Sequence, residues 1–294
     1  MSAPVVLVTG AGGQLGRALV DSAPASLRVV GVDRDRCNIS DDGAVRQALD
    51  EFRPALLINA AAYTAVDRAE EEREAAMDAN TRAPGILAAA CAERDLRLFH
   101  LSTDFVFDGR RSSPYPPEAP TAPLCVYGES KLGGELAVRA QCEDSLVLRT
   151  GWVYGPVGRN FLLTMLRLHR ERDEIAVVDD QVGTPTATGT LATALWAAAE
   201  RPGLRGLLHL SDAGACSWYD FAVAIGEEAE ALGLVTRAAR VRPIPGSEYP
   251  TPAQRPSYSV LDKRATWEAL DLTPRHWRVA LRDVLHRYRE NIHG

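Results

Sequence analysis

The apolar run Val5-Val6-Leu7-Val8 breaks off at Thr9-Gly10-Ala11-Gly12-Gly13-Gln14-Leu15-Gly16, and an amphipathic segment follows from Arg17. A short β-branched run of this kind suits a strand buried on both faces of a parallel sheet. Gly10 lets the chain turn tightly, Gly13 lets the backbone approach a pyrophosphate, and Gly16 lets a helix pack close on the strand. The helix start beyond supplies amide donors and the positive end of its dipole. A strand before and a helix after are the context that makes such glycines a dinucleotide-binding turn.

The rest of the chain repeats the same alternation. Strands are expected at Leu27–Val32, Ala55–Ile58, Leu98–Leu101 and Leu146–Thr150. Helices are expected at Ala44–Phe52, which Pro54 ends, within the helix-rich Asp67–Ala92, and from Tyr127. Strand and helix in turn make a doubly wound α/β fold around a parallel sheet. Beyond Pro156 the regularity loosens into a helix Asn160–Arg172, a strand Ile175–Val178 and a polar loop Asp179–Thr186. A helix Thr190–Glu200 and a strand Gly206–Leu210 then read as a return to the sheet, followed by helices Trp218–Leu232 and His276–Tyr288. The expected division is a dinucleotide-binding domain, 1–156 with about 187–214, and a smaller α/β substrate domain, 157–186 with about 215–294.

Composition narrows the function classes. A net charge of -6 with no Lys/Arg cluster argues against nucleic acid. No apolar run reaches the ~20 residues of a membrane helix. The five cysteines, Cys37, Cys91, Cys125, Cys142 and Cys216, are scattered and never form Cys-x-x-Cys, which fits a reducing compartment. The six histidines show no metal-ligand spacing. A cytoplasmic protein without a metal site is expected.

Three positions are candidates for reading the adenosine ribose. Asp33 follows the second strand and would accept from a 2′-hydroxyl, favouring NADH, whereas Arg34 and Arg36 would meet a 2′-phosphate, favouring NADPH. Use of both cofactors is the expectation. Asn38-Ile39 would lie by the adenine. Asn59-Ala60-Ala61-Ala62-Tyr63-Thr64 offers small residues at a strand end, where a flat cofactor can lie on the backbone. Asn80 would hold a water, kink its helix or cap it.

The chemistry is expected in the middle of the chain. Tyr127 and Lys131 stand four residues apart, on one face of a helix. An ammonium beside a phenol lowers a pKa that starts near ~10. A phenol so tuned exchanges a proton with a carbonyl or alcohol oxygen. Thr103, with Ser102 beside it at a strand end, can hold the same oxygen.

Taken together these stretches resemble the extended short-chain dehydrogenase/reductase superfamily and, within it, the dTDP-4-dehydrorhamnose reductase family. The carrying segments are Thr9 to Gly16 with Gln14 and Leu15, Asn59 to Thr64, Ser102-Thr103-Asp104-Phe105-Val106-Phe107-Asp108-Gly109, Val126-Tyr127-Gly128 with Lys131, Arg149 to Tyr154, Asp179 to Thr186, and Arg255 to Ser259. The resemblance implies a 4-keto reduction on a dTDP-linked 6-deoxysugar with NADPH or NADH. It implies Thr103, Tyr127 and Lys131 as the catalytic set. It places the cofactor on Gly10, Gly13 to Gly16, Asp33, Arg34, Asn38, Ile39, Ala60 to Ala62, Thr64, Tyr127 and Lys131. It places the substrate on Thr103, Asp104, Phe105, Trp152 and Arg255, with Trp152 stacking on sugar or base or else packing in the core. Arg255 would pair with the diphosphate or with a carboxylate. Some members of the family use magnesium at a dimer contact; here the corresponding positions read Ala18 and Gly189, so no metal-bridged dimer is expected, and a monomer or weak homodimer is. Two other readings share the pattern: a ketoreductase of another deoxysugar pathway, and a non-enzymatic chain like the regulatory subunit of methionine adenosyltransferase.

Overall fold

The computed structural model describes residues 3–293. The first half alternates strand and helix: β1 (Val5–Thr9), α1 (Gln14–Asp21), β2 (Arg28–Val32), α2 (Asp42–Phe52), β3 (Leu56–Asn59), α3 (Arg73–Met77), α4 (Ala83–Ala92), β4 (Arg97–Thr103), α5 (Val126–Gln141) and β5 (Ser145–Thr150). The second half runs β6 (Val153–Tyr154), α6 (Phe161–Glu171), β7 (Glu174–Val178), β8 (Val182–Gly183), β9 (Thr186–Ala187), α7 (Thr188–Ala199) and β10 (Gly206–His209). It ends with β11 (Cys216–Ser217), α8 (Trp218–Ala231), β12 (Arg240–Ile244), α9 (Arg264–Leu270) and α10 (Trp277–His293). The central sheet has the order β10-β5-β4-β3-β1-β2, and every pairing in it is parallel.

The strands read as unbroken apolar runs because alternate residues feed two different cores. Val6, Val8, Ile58 and Leu148 pack with Leu19 of α1 and Leu191 and Leu195 of α7. Leu7, Leu57, Leu98 and Val147 pack on the other side with Val45 of α2, Leu87 of α4 and Val138 of α5. Each fully buried aliphatic side chain contributes ~1.5–3 kcal/mol, which outweighs the weak local preference of a four- or five-residue strand. A third core joins α6, α8 and α10, centred on Leu166, Phe221, Ile225 and Leu281.

Three local readings change. Helix α1 starts at Gln14, not Arg17, because Gly13 takes the extended N-cap conformation; Gly16 therefore lies inside the helix, where a Cβ would stand 2.2 Å from the Gly10 carbonyl oxygen. Helix α2 starts two residues early because the Asp41 carboxylate accepts from the Ala44 amide at 3.1 Å. Asn80 neither caps a helix nor stands in a regular one: it lies in a π-helical turn, Asp78–Arg82, between α3 and α4. Among the described residues no helix is long and apolar enough to cross a membrane, and no His, Cys, Asp and Glu cluster is arranged to hold a metal ion.

Candidate active site at the end of the sheet

Strand β4 ends by placing Ser102 and Thr103 beside Arg149 and Thr150 of β5. The chain then tightens into a 3₁₀ turn, Asp104–Val106, because the Thr103 hydroxyl accepts from the Phe105 amide at 3.2 Å. Helix α5 comes down on this turn: a Cβ on Gly128 would stand 2.3 Å from the Phe105 carbonyl oxygen. The Tyr127 ring therefore meets the Phe105 ring edge-on, with centroids 5.6 Å apart. Thr103 and Tyr127 hydroxyls are brought within mutual hydrogen-bonding influence.

Burial dominates the electrostatics. It pushes the Tyr127 phenol up to about 12; the Thr103 hydrogen bond opposes this, and the Asp104 and Cys125 charges add to it. Lys131 is not what tunes the phenol here. Its amine donates to the Leu101 carbonyl at 2.6 Å, and burial pulls it down to about 8 against the Glu135 carboxylate. The expected lowering of the phenol by a neighbouring ammonium is thus reversed, because desolvation disfavours both charged forms. Asp104 is pushed up to about 6 by burial, with hydrogen bonds from Ser259 and Thr103 holding it back.

Below these groups lies an ion pair invisible in the motif. Glu135, one turn past Lys131, accepts from Arg149 through Nε at 2.8 Å and Nη2 at 2.7 Å, and also from the Ser102 hydroxyl. It ties α5 to both strands that carry the site. Asn80 does the same from the other side, bonding the Tyr63 amide and carbonyl at 2.8 and 2.9 Å and the Ser130 hydroxyl at 3.0 Å.

The glycine turn sits at the neighbouring strand ends. Gly10 has φ +70°, and a Cβ there would stand 2.7 Å from the Ala61 backbone. The turn is thus moulded on Ala60 and Ala61, with Ala62 and Thr64 exposed beyond. The α1 N-terminus has no side-chain cap, so its amides are open to an anion. Asp33 accepts from the Gly12 amide at 2.6 Å, and Arg17, which sequence reasoning missed, clasps the Gly12 carbonyl at 3.0 Å. Replacing Gly10 by Ala combines backbone strain with a clash, so affinity for a dinucleotide seated on this turn should fall by about tenfold or more; fluorescence titration with NADPH checks this.

Other predicted residues are placed differently. Gln14 accepts from Asn160 at 2.7 Å and so tethers α1 to the loop before α6, and Leu15 packs on the core beneath the sheet. Arg36 is committed to Glu51 at 2.9 Å and lies over the Phe52 ring, leaving Arg34 as the arginine without an ion pair among the described residues. Asn38 accepts from the Ser40 amide, and the Ile39 side chain is buried in the core rather than open to an adenine. Trp152, with φ +50°, stacks its indole on Trp218 at 3.4 Å and has the Gly183 backbone against it. The indole is thus packed between an aromatic ring and backbone. Arg255 meets the Asp67 carboxylate at 3.0 and 2.8 Å.

The sequence matches the family described as RmlD substrate binding domain over residues 4–290. The chain belongs to that family. Within the RmlD family it is 40% identical to a dTDP-4-dehydrorhamnose reductase of Aggregatibacter actinomycetemcomitans, across 95% of this chain and 97% of the relative. At 43% identity, across 95% and 93%, stands a Streptomyces antibioticus protein named probable dTDP-4,6-dihydroxy-2-methyloxan-3-one 4-ketoreductase. Among solved structures, the dTDP-4-dehydrorhamnose reductase of Bacillus anthracis in complex with NADP superposes with a TM-score of 0.92 at 33% identity, covering 97% of this chain and 100% of that one. The RmlD family thus gathers 4-ketoreductases of nucleotide sugars whose sugars differ.

Proposed function

We propose that the chain reduces the C4 ketone of dTDP-4-dehydro-6-deoxy-L-mannose to dTDP-L-rhamnose, with NADPH or NADH as reductant. The observation that carries this reading is that the Thr103 hydroxyl acts on the buried Tyr127 phenol, with the buried Lys131 amine one helical turn further along α5. In this reading residues 1–156 and about 187–214 hold the cofactor, and 157–186 and about 215–294 hold the sugar nucleotide. The open α1 amides and the Gly10 turn fit a pyrophosphate; Asp33 fits an adenosine 2′-hydroxyl and Arg34 a 2′-phosphate.

Bound reduced nicotinamide supplies the hydride. Tyr127, held at about 12, keeps its proton at neutral pH and so stands ready as the acid that protonates the developing C4 alkoxide. Thr103 orients that oxygen, and Asp104 in turn accepts from the Thr103 hydroxyl at 3.1 Å. Lys131 carries an ammonium below about pH 8, which can hold the nicotinamide ribose.

The Streptomyces antibioticus relative, at similar identity, favours a second reading, reduction of a different dTDP-4-keto sugar. Parallel absorbance assays with NADH and NADPH on dTDP-4-keto-6-deoxyhexoses, with NMR of the product, separate the two. A product with the rhamnose configuration supports the first reading. Turnover of only another keto sugar transfers the assignment to the second, and no nicotinamide oxidation with any of them overturns both.

A further inference from the structure

The chain carries 33 basic residues, and only two of them are lysine, Lys131 and Lys263. Every other cationic position is arginine, even the deeply buried Arg149. A guanidinium is planar and keeps its proton, whereas an amine is compact, gathers its three donors at one point and releases a proton when buried. Both lysines are buried, at 3% and 6% exposure, and burial pulls both amines down to about 8. One stands one helical turn after Tyr127 on α5 and bonds the Leu101 carbonyl. The other is used by nothing in the reaction above.

Lys263 has little to compensate its burial. Its amine has one hydrogen-bond contact, the Thr184 hydroxyl at 3.5 Å, and that hydroxyl already donates to the Gly214 carbonyl at 2.8 Å. The Trp267 ring lies 5.8 Å away. No carboxylate stands within ion-pairing distance of it among the described residues. An ammonium out of water with so few partners is costly unless an anion meets it.

The surroundings suit such an anion. Lys263 lines a groove of about 840 Å³ between the proline-rich loop after β4 and the start of α9. Arg111 stands at its rim, bonded to the Ser113 hydroxyl and to no carboxylate among the described residues. Arg264 is neutralised by Asp262 at 2.6 Å. The Asp212 and Asp262 carboxylates act on the Lys263 amine only through space, without outweighing its burial, so the groove keeps two cations, Lys263 and Arg111, that no carboxylate pairs directly among the described residues. Pro114, Tyr258 and Trp267 give it apolar walls. Thr103, Tyr127, Lys131 and the glycine turn do not line it.

We infer that this groove is a second ligand site, which takes a small organic oxyanion, phosphate or carboxylate, on the Lys263 amine and the Arg111 guanidinium. The space is that of a small-molecule pocket rather than of a bare ion. The apolar walls fit the body of the ligand, and the two cations its acidic end.

Because the chain has two lysines, ¹⁵N-lysine labelling gives one backbone amide signal for each. Inorganic pyrophosphate, citrate and thymidine diphosphate are titrated into the full chain in turn. At least one is expected to move the Lys263 signal saturably in the millimolar range or below, with pyrophosphate and citrate telling phosphate from carboxylate. NADPH is expected to move the Lys131 signal, which reports the proposed reductase site separately. By calorimetry, Lys263→Met should weaken the effective probe by about tenfold or more, the loss of one charge-assisted hydrogen bond, and Arg111→Ala should weaken it by less. An unchanged NADPH response at Lys131 shows that the Lys263→Met chain is folded. A Lys263 signal unmoved by all three probes, or a Lys263→Met chain that binds as the parent does, overturns the inference.

Discussion

Tyr127→Phe is expected to lower kcat for keto-sugar reduction by about 10²–10⁴-fold, the usual worth of a positioned proton donor. NADPH affinity should stay within a few-fold. The substitution removes one hydroxyl and keeps the ring, so the edge-on contact with Phe105 survives. Thr103 is not orphaned, because its hydroxyl still has the Asp104 carboxylate. Single-turnover loss of reduced-nicotinamide absorbance, beside thermal melting of both chains, is the measurement. A variant that melts like its parent and still turns over at near the parental rate would remove Tyr127 from the chemistry.

The second large effect concerns stability. Glu135→Ala should cost about 3–5 kcal/mol, because it strands the Arg149 guanidinium at a site 3% exposed. Urea unfolding reads this directly, and replacing both partners by apolar residues should recover much of it. The milder Glu135→Gln carries a kinetic signature. Glu135 raises the Lys131 amine against burial. Without that charge the amine loses its proton at lower pH. Reduction that needs the ammonium is present below the Lys131 pKa and fades above it, so the alkaline limb of kcat/KM, near pH 8 in the parent, should move to lower pH. An unmoved limb would show that Lys131 does not control it.

Much of the fold was legible because each clue was local. Val5 to Val8 followed by Gly10, Gly13 and Gly16 dictates a strand, a turn and a helix within a dozen residues, and the helical spacing of Tyr127 and Lys131 puts both on one face. What was not legible depends on distant partners. The neutral state of the phenol follows from burial, which no spacing reports. Arg255 and Asp67 meet across 188 positions of sequence, and the Trp152 indole is claimed by Trp218 of α8. Nothing in the spacing reports that Arg36 pairs with Glu51 over the Phe52 ring. Glu135 could have been found, since it continues the face of Tyr127 and Lys131 by one more turn.

The order β10-β5-β4-β3-β1-β2 has a consequence for how the chain is made. The strand that closes one edge of the sheet ends at His209, and Leu191 and Leu195, which roof one of its faces, come only shortly before it. While synthesis has reached only Pro156, β5 offers a bare row of backbone donors and acceptors, and Val6, Val8 and Ile58 have Leu19 of α1 over them but not Leu191 and Leu195. Such an edge invites pairing with another nascent chain. The half that bears Thr103, Tyr127 and Lys131 therefore completes its sheet and its second roof only when some fifty further residues have returned from the other half.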